Sequence, residues 1–408
     1  MIMSSIVEMK LSSKNIVSPK GFKAAGIHCG IKHKKKDLAV LYSEVPASVA
    51  GVFTTNKVQA APIKVTKEVV YETKKMQAVI VNSGNANACT GKQGLLDAYE
   101  MQKLAAEKLG IDPKLVGVSS TGVIGELMKM DCIREGVKNI EIDNKPENGI
   151  DFAQAILTTD TVMKNTAYST IIDGKEVIIS GTAKGSGMIE PNMATMLAFI
   201  TTDANIESDV LQKALSDITD VTFNCITVDG DTSTNDMVLV LANGLAGNQP
   251  LTPEHPEWNN FYKTLKMVAE DLAKAIARDG EGATKLIEVE VEGAVSDDEA
   301  RKIAKTVVGS PLVKTAVFGC DANWGRIICA VGYSGATVDP EKITIKIGDK
   351  KMVENGEPIP FDEEELIQIL KANEVKIHVS LGQGDGHGFA WGCDLTYDYV
   401  QINASYRS

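Results

Sequence analysis

Histidine occurs only five times in this chain of 408 residues, and aromatic residues make up just 5% of it. The five histidines (His28, His33, His255, His378 and His387) are dispersed, and none stands in H-x-x-x-H or H-E-x-x-H spacing, so nothing in them asks for a metal. The seven cysteines, Cys29, Cys89, Cys132, Cys225, Cys320, Cys329 and Cys393, are odd in number and never spaced C-x-x-C. That argues against a disulfide framework or a zinc knuckle, and most are expected to be reduced, buried and inert. Basic charge is in deficit: 42 Lys and Arg stand against 54 Asp and Glu, a net charge of −12. The footprint of a nucleic-acid binder is missing, and the run "HKKKD" (His33 to Asp37) reads as a local solvated face. No apolar stretch approaches the length of a bilayer span, and the N-terminal "MIMSSIVEMKLSSKN" lacks the basic flank, apolar centre and cleavage site of a secretory signal. The expectation is a soluble, cytoplasmic protein with neither nucleic acid nor membrane as partner.

An apolar fraction of 44% with 24% charged residues allows a sizeable core. The length predicts two or three domains, or two intimately packed halves. Strand and helix patterns alternate. "MQAVIVNSG" reads as a buried strand, and "LLDAYEMQKLAAEKLG" as a helix closed by Gly110. "KLVGVSSTGVIGELM" reads as a short strand, a polar turn and the start of a helix. "YSTIIDGKEVIISGTAKG" is a hairpin with Asp173-Gly174 at its tip. "MLAFITTDA", "MVLVLANG", "TKLIEVEVEGA", "KITIKIG" and "VKIHVSL" read as strands; "ESDVLQKALSDIT", "WNNFYKTLKMVAEDLAKAIARDG" and "DEEELIQILKAN" read as helices. The class is α/β, with mostly antiparallel strands and layers of helices.

Several motifs fail on inspection. "TGKQGLLD" lacks G-x-x-x-x-G-K-[ST], and "GQGDGHGFAWG" follows a strand without opening a helix, so it reads as a turn or as tight backbone packing. There is no G-x-S-x-G, and no histidine stands in a conspicuous relation to a serine or cysteine. An acyl-transfer enzyme built on this sequence needs another base.

The stretch "KGSGMIEPNMATMLAFITTDA", Lys184 to Ala204, offers one. Thr195 stands between a small Ala194 and a strand-like run, behind a loop rich in glycine and containing proline. The plain reading is that a β-branched residue opens a buried strand. The chemical reading is that cleavage of Ala194–Thr195 would give Thr195 a free α-amine. Such amines titrate near ~7.7–8, so one residue would supply hydroxyl nucleophile and general base together. Its oxyanion needs donors, and "SSTGVIG" (Ser119 to Gly125) is a candidate: the Thr121 hydroxyl and Gly122 N–H could converge, although Ser120 or Thr121 could equally cap a helix.

Together "PKGFKAAGIHCGIKHKKKDLAVL", "VNSGNANACTG", "SSTGVIG", "AILTTDT", "KGSGMIEPNMATMLAFITTDA", "TVDGDTSTNDM", "ARDGEGATKLIEV", "DANWGRI" and "YVQINASYRS" resemble the ornithine acetyltransferase (glutamate N-acetyltransferase, ArgJ) family, in its order, from about Pro19 to Ser408. Met1 to Ser18 fit it poorly. The resemblance implies a layered α-β-β-α sandwich related to the self-processing DmpA-type aminopeptidases. It implies autocatalytic cleavage at Ala194-Thr195 into an α chain, 1–194, carrying the oxyanion donors and part of the pocket. The β chain, 195–408, would carry the Thr195 nucleophile, the rest of the pocket and the C-terminal tail. The two would stay together, as an α2β2 heterotetramer.

The implied reaction moves the acetyl group of N-acetyl-L-ornithine through an acetyl-Thr195 ester to L-glutamate, in arginine biosynthesis. No cofactor is implied, and acetyl-CoA is a co-substrate in some members only. Carried over residue by residue, Thr121 and Gly122 match the oxyanion donors. Thr158, Lys184, Thr195, Glu281, Asn403 and Ser408 match substrate-contacting positions. Thr159 and Thr161 stand close enough to Thr158 to share its assignment, and all three could simply follow the "FAQAIL" helix as caps. Lys184 could be a surface lysine, and Glu281 could line the loop after a helix. An amidohydrolase using the same threonine, or a non-catalytic amino-acid binder on the same fold, are the alternatives.

Overall fold

The computed structural model describes residues 8–190 and 196–405, and the chain divides into two compact units. Strands of the first unit are β1 (Glu8–Lys10), β2 (Phe22–Ile27), β3 (Leu38–Phe53), β4 (Lys75–Asn85), β5 (Val116–Val123), β6 (Lys164–Ile172), β7 (Lys175–Lys184), β8 (Leu197–Thr202) and β10 (Met237–Ala242). Those of the second are β9 (Ile226–Thr227), β11 (Leu286–Ala294), β12 (Thr344–Ile347), β13 (Lys350–Glu354), β14 (Glu357–Pro358), β15 (Glu374–Ser380) and β16 (Gly386–Cys393). The helices are α1 (Ala61–Glu68), α2 (Gly91–Leu109), α3 (Met130–Asn139), α4 (Pro146–Ala155), α5 (Ser208–Asp220), α6 (Trp258–Arg278), α7 (Asp297–Gly309), α8 (Pro311–Phe318), α9 (Trp324–Tyr333), α10 (Glu363–Leu370) and α11 (Tyr397–Ala404). None of the described helices is long and apolar enough to cross a membrane.

In the first unit the strand order is β1-β6-β7-β8-β10-β3-β4-β5, with β2 also pairing β3. β8–β10 and β4–β5 are parallel and the remaining pairs antiparallel. Both faces are covered, which is why β4 is a nearly unbroken apolar run. Val79 and Val81 enter one core with Phe152 of α4 and Phe199 of β8, while Ala78 and Ile80 enter another with Ala98 and Met101 of α2. The β6–β7 hairpin turns at Asp173 (φ 51°) and Gly174 (φ 71°), as its sequence predicts. Gly110, at φ 67°, ends α2.

Strands on both sides of residues 194–195 belong to this one sheet. β7 pairs β8 from Ile179↔Thr202 to Lys184↔Leu197, and β3 pairs β10 from Phe53↔Met237 to Ser48↔Ala242.

The second unit orders its strands β14-β13-β12-β15-β11-β16-β9, with β11–β15 and β16–β9 parallel. The alternation in "LIEVEVEGA" buries Ile287, Val289 and Val291 against Ile303 and Val307 of α7. Both units are thus mixed α/β, mostly antiparallel, as the sequence predicts.

Three local readings change. "GHGFAWGC" is a strand inside the sheet, and the tight packing expected of its glycines is directed at α7. A Cβ on Gly388 would lie 2.6 Å from the Arg301 backbone nitrogen, and one on Gly386 would lie 2.4 Å from the Ser296 carbonyl carbon. "SSTGV" is the end of β5 rather than a turn, and α3 opens only at Met130. Asp37, at the end of the solvated lysine run, is fully buried. Its carboxylate accepts the N–H groups of Cys29, Gly30 and Lys32 at 2.6, 3.2 and 2.8 Å.

Candidate active site

Parallel pairing sets β4 and β5 in the register Asn82↔Ser120, Ser83↔Thr121 and Gly84↔Gly122, with an irregularity at Asn85. Gly122 has φ 135° and Gly84 φ 98°, and a Cβ on Gly122 would lie 2.3 Å from the Gly84 carbonyl carbon. Only glycine permits that backbone and that approach. The neighbouring Thr121 is half-buried, and its hydroxyl makes no hydrogen bond among the described residues. Ser120 caps no helix; its Oγ donates to Asn82 Oδ1 at 2.6 Å.

Buried amides hold this strand end from behind. Asn82 Nδ2 donates to the Asn85 carbonyl at 2.9 Å, and Asn85 Nδ2 to the carbonyls of Glu126 and Leu127, each at 3.1 Å. Asn85 Oδ1 accepts the Asn87 N–H at 2.8 Å. From the opposite side Asn235 Nδ2 donates to the carbonyls of Ala86 and Ser120 at 2.5 and 2.9 Å, while Thr234 Oγ1 donates to Asn235 Oδ1 at 2.6 Å. An amide carries donor and acceptor on one rigid plane, so it can brace two backbone segments at once. The asparagines of "VNSGNAN" and "TSTND" do this, a role that the sequence reading missed; their density in turn-like segments was the available signal.

Around Thr158 and Lys184 lies a buried charge cluster. Thr158 sits just after α4, and its N–H donates to Asp160 Oδ2 at 3.0 Å. Asp160 Oδ1 accepts the Gly185 N–H at 2.7 Å and the Lys164 ammonium at 2.8 Å, with both side chains of that ion pair wholly buried. Burial by itself would raise the Asp160 carboxyl. The charges of Lys184 and Lys164, with these hydrogen bonds, more than reverse it and hold the group far below the usual carboxylate range. Lys184, the last residue of β7, is 7% exposed, and its ammonium makes no hydrogen bond among the described residues. Asp160 and Lys164 were not singled out from the sequence; the aspartate of "LTTDT" followed four residues later by a lysine was the trace they left.

In the second unit Glu281 is 7% exposed, its N–H donating to the Ser186 carbonyl at 2.9 Å. A Cβ on Gly187 would lie 2.3 Å from the Glu281 carboxyl carbon, so the glycine makes room for the carboxylate. Asn403 of α11 donates from Nδ2 to Glu281 Oε2 at 2.8 Å and to the Tyr399 carbonyl at 3.0 Å. The Tyr399 phenol, facing Asp229 and Glu281, is raised well above its ordinary value, chiefly by burial and then by those charges. Asp229 also receives the N–H groups of Met188 and Ile189 at 2.7 and 2.8 Å, and Glu190 pairs with Lys305 at 3.0 Å. Met188, Ile189 and Glu190 are thereby each held by a charged partner. Ala194, Thr195 and Ser408 themselves lie outside the described residues.

Of the positions singled out in the sequence, Thr121, Gly122, Thr158 and Lys184 belong to the first unit. Glu281 and Asn403 belong to the second, where they are bonded to each other. The sequence profile of the ArgJ family matches residues 23–408, and the chain belongs to that family. The arginine biosynthesis bifunctional protein ArgJ of Geobacillus kaustophilus is 61% identical over 393 residues, 96% of each chain. Its counterpart from Bacillus licheniformis is 59% identical over 408 residues and the full length of both. A crystal structure of arginine biosynthesis bifunctional protein ArgJ from Bacillus halodurans is 65% identical with a TM-score of 0.51, covering 52% of this chain and 100% of that one.

Proposed function

We infer that this chain is an ornithine acetyltransferase of arginine biosynthesis, moving the acetyl group of N-acetyl-L-ornithine to L-glutamate through an ester on Thr195. The observation that carries the mechanism is the Gly84–Gly122 approach, beside a Thr121 hydroxyl with no hydrogen-bond partner among the described residues. Donors held rigidly before the reaction are what an oxyanion requires.

Processing comes first. Thr195 Oγ attacks the Ala194 carbonyl carbon, the acyl group shifts from nitrogen to oxygen, and water hydrolyses the ester. Residues 1–194 and 195–408 are then separate chains, and the Thr195 amine is free. A relative whose crystallised chain spans about half of this one supports such a division.

In transfer, the amine takes the proton of Thr195 Oγ as the oxygen attacks the acetyl carbonyl. The oxyanion is stabilised by the Thr121 hydroxyl and the Gly122 N–H. Collapse breaks the C–N bond, and the same amine returns the proton to departing ornithine. Glutamate's amine then attacks the acetyl ester by the reverse path, so the kinetics are ping-pong. Thr158, Lys184 and Ser408 contact substrate, and Glu281, oriented by Asn403, takes the ornithine side-chain ammonium in a charge-assisted bond. The bifunctional name of the relatives supports acetyl-CoA as a second donor. The chains assemble as α2β2 in the cytoplasm.

The test is the intact mass and N-terminal sequence of the purified protein, followed by acetyl transfer. Two chains, the second beginning Thr-Met-Leu-Ala, are expected, with a single round of ornithine release in the absence of glutamate and repeated turnover only in its presence. Acetate release without glutamate would make the protein a hydrolase, and a single uncut chain with no turnover would overturn the mechanism.

A further inference from the structure

Lys32 stands outside the residues assigned to catalysis and binding, yet its side chain lies against the same strand end. Its Cγ would be 2.8 Å from a Cβ placed on Gly84, the residue opposite Gly122. Its ammonium donates to the Leu157 carbonyl at 2.8 Å, one residue before Thr158. From there Thr158 N–H reaches Asp160, and Asp160 reaches Gly185, the neighbour of Lys184. Lys32 is therefore tied by its stem to the strand end at Gly84 and by its ammonium to the Thr158 side of the charge cluster. We propose that Lys32, with Lys184, forms a cationic subsite for the α-carboxylate shared by N-acetylornithine and glutamate.

The charge balance favours an anion. Lys32, Lys164 and Lys184 surround Asp160, which is already paired with Lys164. Asp37, the other carboxylate acting on Lys32, is occupied by three backbone N–H groups. One carboxylate of a ligand would bring the group closer to neutrality. Burial lowers the Lys32 ammonium to about 8, with Lys35 and Lys184 adding to the fall and Asp37 and Asp160 opposing it; it is still mostly protonated at neutral pH.

Substrate chemistry places the carboxylate close to the reacting carbonyl. In N-acetylornithine the reacting amide nitrogen and the carboxylate hang on the same carbon, and in glutamate so do the attacking amine and the α-carboxylate. A reacting carbonyl at Gly122 puts the carboxylate only a few bonds away in both half-reactions. One fixed cation beside Gly84 can then orient donor and acceptor alike.

The inference rests on the acetyltransferase reading, and the experiment separates the two. Lys32→Gln keeps an N–H donor for the Leu157 carbonyl but removes the charge, whereas Lys32→Arg keeps the charge. Processed wild type and both variants are compared in kcat/KM for N-acetylornithine and for its α-carboxamide, and in calorimetric binding of the same two compounds. Lys32→Gln should lose about 10- to 100-fold on the carboxylate and less than about 3-fold on the carboxamide, with Lys32→Arg retaining most of the difference. Equal losses on both compounds, or no loss, would overturn the subsite and leave the transferase in place. A wild-type protein that neither transfers nor binds would overturn both.

Discussion

Gly122 faces Gly84 across the β4–β5 ladder so closely that a methyl on either would strike its surroundings: the backbone of Gly84 in one case, the stem of Lys32 in the other. Both have left-handed φ values. Gly122→Ala must therefore strain the backbone and displace the strand end together. Turnover should fall about 10²–10³-fold, the usual cost of one misplaced oxyanion donor. Circular dichroism should still show a folded protein, and near-normal kcat in such a protein would remove Gly122 from the hole.

The asparagine brace makes a different prediction. Asn235 is 5% exposed and spans the Ala86 and Ser120 carbonyls. Asn235→Ala leaves both carbonyls buried without that donor, which costs about 1–3 kcal/mol each before relaxation. The variant should unfold at clearly lower denaturant concentration. If the brace also positions Thr121-Gly122, kcat should drop while KM for glutamate stays nearly constant. A stability loss with unchanged kcat would confine Asn235 to the scaffold.

Asp160 governs acid behaviour. Its folded carboxyl lies far below the range of the unfolded chain, so it stabilises the fold fully above about pH 4 and loses that contribution as the pH falls toward its folded value. Asp160→Asn leaves Lys164 buried without its carboxylate and should cost about 3–5 kcal/mol at neutral pH. The gap between wild type and variant should narrow as the pH is lowered from 5 to 2. Unfolding curves across that range check the sign; a gap that widens on acidification would contradict it.

How much of this was legible beforehand depends on the type of interaction. Long apolar runs such as "MQAVIVN" and the Asp-Gly hairpin carry their structure in local sequence, and β4 and β6–β7 appear as expected. Gly122 was likewise singled out in the sequence, and its left-handed φ and close approach to Gly84 are a backbone that only glycine suits. The strand β16 was hidden, since its glycines serve the α7 backbone more than 85 residues earlier in the chain, and a local reading sees a turn or tight packing without the partner. Asp160–Lys164, the asparagine brace and buried Asp37 were hidden for a related reason. Polar residues look solvated in a sequence until the partner that satisfies them is known.

Cleavage should not release the halves. The β7–β8 and β3–β10 ladders join residues from either side of positions 194–195 within one sheet, and both strands β8 and β10 are wholly buried. Denaturing mass spectrometry should give two chains, whereas native mass spectrometry should give an assembly containing both. Thr195→Ala should give one chain and no transfer, and Thr195→Ser should keep part of each activity. Fragments that separate without denaturant would contradict the shared sheet.

Glu281 offers the sharpest test of substrate orientation. Donor and acceptor share an α-carboxylate but differ at the other end: ornithine carries an ammonium and glutamate a second carboxylate. In the proposed role Glu281, held by Asn403 at 2.8 Å, would complement the first and repel the second. Glu281→Gln preserves the shape and removes the charge. KM for N-acetylornithine should rise about 10- to 100-fold, the loss expected for a hydrogen bond to a charged group. KM for glutamate should stay constant or fall. Asn403→Ala, which frees the carboxylate without neutralising it, should show the same direction with a smaller change. A parallel rise for both substrates would mean that Glu281 supports the fold of the site and does not read the ammonium.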